Sequence, residues 1–182
     1  MSDLDRLHQR LAPPRLNEIK RFREVGVSPE ALSSPELPAR ADVVFHDDRP
    51  LFDFVDEIGD GGAVAGFIFL ARDDEGDPCD LVAWSPQAKR IAAWYGVAPL
   101  LGTDMLYAPR LDPEGALQVF EEPLAWLLEE RAGVVIVDPL RAAPILRAAE
   151  SLKASSAAFG LRLRDLVAPR RPVILVPQGR AA

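Results

Sequence analysis

The stretch Gly133-Val134-Val135-Ile136-Val137-Asp138-Pro139 limits the fold more than any other in the chain. Its β-branched residues favour a pleated backbone, and an unbroken apolar run predicts a strand covered on both faces. Asp138 then offers a side-chain acceptor for a helix N-cap, and Pro139 a donorless residue at the first helical position. A buried strand feeding a helix is the unit from which parallel sheets are built.

The rest of the C-terminal half extends this pattern. Residues 117–120 predict a strand, 123–131 a helix opened by Pro123, 133–137 the buried strand, 139–153 a second helix and 172–176 a last strand. This β-α-β-α-β order requires crossover connections and hence parallel pairing. Pro144 sits either in the first turn and a half of its helix or at a kink.

Upstream the periodicity changes. Leu4, Leu7 and Leu11 recur at helical spacing before Pro13-Pro14, and Leu16, Ile19, Phe22 and Val25 define a second amphipathic helix ending at Gly26. Ser28-Pro29 starts one further turn, and Pro35 and Pro38 impose an extended linker. Residues 1–40 thus read as a helical segment with a Pro-rich linker, and residues 41–182 as an α+β core domain. Strands are expected over 42–45, 51–55, 63–71 and 79–84, with Gly59-Asp60-Gly61-Gly62 as a hairpin turn and 72–78 as a polar loop. Residues 91–95 read as a further antiparallel strand, with a helix over 86–94 as the competing assignment. The fold class is α+β: an N-terminal helical pair, an antiparallel meander, and a β-α-β-α-β segment completing a mixed sheet.

No segment of the 182 residues approaches the roughly 20 apolar residues that a bilayer crossing demands, and the charged N-terminus does not resemble a signal peptide. A cytoplasmic protein is expected, with no membrane partner. The single cysteine, Cys79, excludes an internal disulfide and reads as a small buried hydrophobe. A net charge of −7 argues against a surface that binds nucleic acid over its whole extent. The charge is unevenly distributed, however. Residues 42–80 hold twelve acidic residues against Arg49 and Arg72, whereas from Arg162 onward five arginines face only Asp165. Two solvated faces account for such a split, and so do self-association between complementary patches and an acidic face that repels nucleic acid while a basic edge holds it.

Candidate chemistry is sparse. Asp138 is the one catalytic candidate, because the carboxyl end of a parallel strand is where open α/β sheets bind ligands; an ordinary N-cap, which the helix needs there regardless, is the simpler explanation. No cofactor is expected. The alternative is magnesium, for which Asp56, Glu57, Asp60, Asp73, Asp74 and Asp77 are candidate ligands near turns, although polar loops share that composition. Adjacent residues of His46-Asp47-Asp48 point to opposite faces of a strand and cannot all reach one ion. With only His8 and His46 and no Gly-x-Ser-x-Gly elbow, nucleophilic hydrolysis finds no support. Arg15, Lys20, Arg21, Arg23, Arg170 and Arg171 are the candidate nucleic-acid contacts. The first four lie in a helix-turn-helix-like stretch whose second helix is too short to fill a major groove.

Three segments, Asp80-Leu81-Val82-Ala83-Trp84, Ala93-Trp94-Tyr95-Gly96, and Pro123-Leu124-Ala125-Trp126-Leu127 with the following Gly133-Val134-Val135-Ile136, resemble a group of uncharacterised bacterial proteins often encoded with prophage or mobile-element genes. The resemblance implies a context rather than an activity. The expected function is a non-catalytic interaction or assembly module with a protein partner or a second copy. The alternatives are a metal-dependent phosphoryl-transfer enzyme acting on nucleic acid and a DNA-binding accessory protein.

Overall fold

Buried side chains along the central strands alternate between two cores. In the computed structural model, which describes residues 2–33, 35–55, 62–106 and 115–169, Ile68 and Leu70 enter one core while Phe69 and Ala71 enter the other. Leu81 and Ala83 separate from Val82 and Trp84 in the same way. This period of two is the geometry of a pleated strand covered on both sides.

Strands β1 (Ala39–Phe45), β2 (Phe52–Phe54), β3 (Val64–Arg72), β4 (Pro78–Ser85) and β5 (Arg90–Ala93) form an antiparallel sheet in the order β2-β1-β3-β4-β5. Of the two assignments open for residues 86–95, the strand is the one adopted: Ile91 pairs with Trp84 and Ala93 with Val82. The sheet rolls until its ends meet. Ala93 N–H donates to Pro50 O at 3.0 Å, and Leu51 bridges Ala93 in parallel. The glycine-rich turn expected at 59–62 lies outside the described residues except for Gly62.

A second sheet contains β6 (Leu100–Leu101), β7 (Leu117–Phe120), β8 (Val134–Ile136) and β9 (Leu152–Ala154) in the order β6-β8-β7-β9. Strand β7 runs parallel to both β8 and β9, and β6 is antiparallel to β8. The predicted β-α-β-α-β order is present, built from β7, helix α4 (Pro123–Leu128), β8, helix α5 (Pro139–Arg147) and β9. The third strand is thus 152–154; the expected strand 172–176 lies outside the described residues. The second helix stops at Arg147 instead of 153, and helix α6 (Ala157–Val167), capped by Ser156, follows unanticipated.

The N-terminal residues are built into these layers. Helix α1 (Asp3–Arg10) packs Leu4 and Leu7 on the outer core of the first sheet, and His8 Nε2 lies 3.1 Å from Ile68 O. Helices α2 (Leu16–Glu24) and α3 (Pro29–Ser33) send Phe22, Ala31 and Leu32 into the core between the sheets, beside Trp126 and Leu127 of α4. The outer face of the second sheet is covered by Ala142 and Leu146 of α5 and Phe159 and Leu163 of α6.

Arg131 ties α3 to the loop after α4. Its guanidinium donates to Ala31 O at 2.8 Å and Glu36 O at 3.0 Å and lies 5.2 Å from the Trp126 ring. Burial pulls its pKa down to about 10. The chain reaches this position through two consecutive left-handed residues, Glu130 (φ 53°) and Arg131 (φ 60°). Glu130 is exposed, so Glu130→Gly should relieve the steric cost and raise stability by about 1 kcal/mol, measured as a higher urea midpoint.

Candidate functional site

The path of the chain through the second sheet creates a crevice. From β7 the chain passes through α4 on the inner face to β8, then through α5 on the outer face to β9 on the other side of β7. Successive connections on opposite faces leave an opening at the carboxyl ends of the strands where the order reverses, here β7 and β9. The residues that follow these strands, Glu121-Glu122 and Ser155-Ser156, line a cleft of about 620 Å³ against Lys89, Arg90 and Ile91 of the first sheet. It shares Lys89, Arg90, Ile91 and Glu121 with a second cleft of about 700 Å³, whose apolar lining includes Ile136, Phe159, Leu163 and Leu166.

Most charges along this opening are paired. Arg90 Nη1 lies 2.7 Å from Asp47 Oδ1, Arg162 bonds Glu121, and Arg49 Nε is 3.9 Å from Asp48. Lys89 differs: it is exposed, holds a left-handed backbone at φ 53°, and has no ion-pair partner among the described residues. In the second cleft Arg49, Lys89, Arg90 and Arg162 meet Asp47, Asp48 and Glu121, four cations against three carboxylates, whereas in the first Lys89 and Arg90 meet Glu121 and Glu122, two of each.

None of the sequence candidates among the described residues lines either cleft, although Val137 and Pro139 on either side of Asp138 line the second. Asp138 directs its carboxylate to its own helix, accepting from Leu140 N at 3.0 Å and Arg141 N at 3.3 Å. Asp73 closes its loop by accepting from Glu75 N and Asp77 N, while Asp74 and Asp77 are exposed. Asp56, Glu57 and Asp60 lie outside the described residues, as do Arg170 and Arg171. Among the described residues no three His, Cys, Asp or Glu side chains gather so as to hold a metal ion. Cys79 is half-buried, and burial pushes its thiol pKa up to about 11, which keeps it protonated and unreactive at neutral pH.

Arg15, Lys20, Arg21 and Arg23 are exposed on or beside α2, where Lys20 pairs with Glu24 at 3.7 Å and Arg21 and Arg23 have no ion-pair partner among the described residues. Helix α3 does not present itself to solvent as a reading helix would. Ala31 and Leu32 are buried, and Arg131 occupies their carbonyls.

Beside α2 runs an apolar groove of about 450 Å³ lined by Phe22, Val25, Phe67, Trp84 and Leu124, with Arg21 at its rim. Phe22 and Phe67 meet edge to face at 4.9 Å, and Trp84 lies 5.8 Å from Phe67. The apolar surface continues outward through Val25, 55% exposed, and Leu128, 42% exposed, one turn beyond Leu124 on α4. Leu128 Cδ2 approaches to 3.5 Å from the position of a Cβ on Gly26.

Compared with protein-family models, curated proteins and solved structures, the chain matches none. Among the described residues no helix is long and apolar enough to cross a membrane.

Proposed function

We propose that this chain is a non-catalytic cytoplasmic assembly module that associates with copies of itself through the groove beside α2. The observation that carries this reading is the aromatic-lined groove running out onto exposed Val25 and Leu128. Contiguous apolar surface with a polar rim is the usual mark of a protein contact. Charge favours a second copy as occupant. Arg21 at the rim and Arg23 on the same helix, neither with an ion-pair partner among the described residues, complement the acidic loop around Asp74, Glu75 and Asp77 of another molecule.

Val25 is exposed, so Val25→Glu should leave the melting temperature unchanged while weakening self-association about tenfold, read by sedimentation equilibrium. Unchanged association would refute the groove as the contact. Millimolar magnesium separates this reading from the phosphoryl-transfer alternative. The module's melting temperature should not respond, whereas a carboxylate-held ion would raise it.

A further inference from the structure

We propose that the second cleft, of about 700 Å³, binds a small amphipathic anion, an apolar body carrying a carboxylate or phosphate, with Lys89 as its charge partner. It shares no lining residue with the groove beside α2, whereas the adjoining first cleft shares Trp84, Pro86 and Leu124 with that groove. Three observations converge on the second cleft. The strand order reverses at β7, which places an opening where sheets with parallel strands take ligands. The opening has the volume of a small-molecule site, and Phe159, Leu163 and Leu166 give its wall an apolar character. Arg49, Arg90 and Arg162 already carry carboxylate partners, so Lys89 is the cation left in this cleft to receive an incoming negative charge; Glu122, without an ion-pair partner among the described residues, lines the adjoining cleft.

Lys89 sits in the β4–β5 turn with a left-handed backbone, a conformation that Asn adopts more readily than Lys.

The test uses the full chain with decanoate as the probe and decyltrimethylammonium as its cationic counterpart, followed by titration calorimetry. Decanoate should bind with one-to-one stoichiometry, and the cationic analogue should not. Lys89→Asn removes the charge yet suits the left-handed turn, so the protein should remain folded while decanoate affinity falls about fivefold. Rising salt should weaken the wild-type interaction and leave the variant nearly unaffected. Equal binding of both amphiphiles would overturn the proposal, as would Lys89→Asn binding decanoate like the wild type. Loss of binding in Val25→Glu with retention in Lys89→Asn would also overturn it, because the probe would then occupy the α2 groove.

Discussion

Replacing Asp80 with alanine should cost about 4 kcal/mol, a large part of the 5–15 kcal/mol that holds a typical domain folded. Asp80 is fully buried on β4, and its carboxylate accepts from the backbone N–H groups of Leu81 at 2.8 Å, Tyr95 at 3.0 Å, Val97 at 2.7 Å and Ala98 at 3.2 Å. Three of these donors belong to the segment that leaves β5 and turns toward β6. An alanine would leave the bond to Leu81 and the turn without their acceptor, and buried donors without partners are costly. Asp80→Asn keeps an acceptor oxygen for two donors but sets an amide NH2 against the other pair, and should lose about half as much. Urea unfolding of the two variants would show that order. Equal, small losses would mean that the turn is held by something else.

Gly133→Ala should be at least as damaging, by about 4 kcal/mol or more. Gly133 has φ 129°, and a Cβ there would lie 2.4 Å from Gln118 O, a backbone atom of the adjacent strand. Neither the conformation nor the space is available to a side chain. Gly133 O also accepts from Trp126 Nε1 at 2.9 Å, so displacing it disturbs the core between the sheets. Gly76 provides the control. It has φ 86° and open space around it, so Gly76→Ala should carry only the conformational cost of about 1 kcal/mol. Comparable losses in the two variants would show that the close approach to β7 is not what Gly133 serves.

Period and punctuation carried much of the fold. The nearly continuous apolar runs of β3, β4 and β8 are what strands covered on both faces must look like, and Pro123, Pro139 and Asp138 sit at helix starts where their chemistry predicts. Short elements defeated the same reasoning. Leu152–Ala154 is too brief for a period to register, so the helix before it seemed to continue and the helix after it went unseen. The two residues of β6 failed for the same reason.

Site residues were less legible because tertiary contact creates them. Asp80 counted only as one acid among many, since three of the N–H groups it serves lie 15 to 18 residues away. An acid within the apolar run 79–84 was the signal available, because such a group must find donors. The rule that directs attention to strand carboxyl ends led to Asp138, whose neighbours Val137 and Pro139 line the second cleft while its own carboxylate caps α5; the first cleft, between β7 and β9, was missed because β9 was not recognised. Lys89 reaches that crevice only because the first sheet lays its β4–β5 turn across the end of the second.

Light scattering of the unmodified chain across a range of concentrations is the most direct test of the assembly module. The mass should rise with concentration from 19.9 kDa toward at least twice that value, with salt shifting the rise to higher concentration. A mass that stays at 19.9 kDa throughout would contradict self-association through the α2 groove.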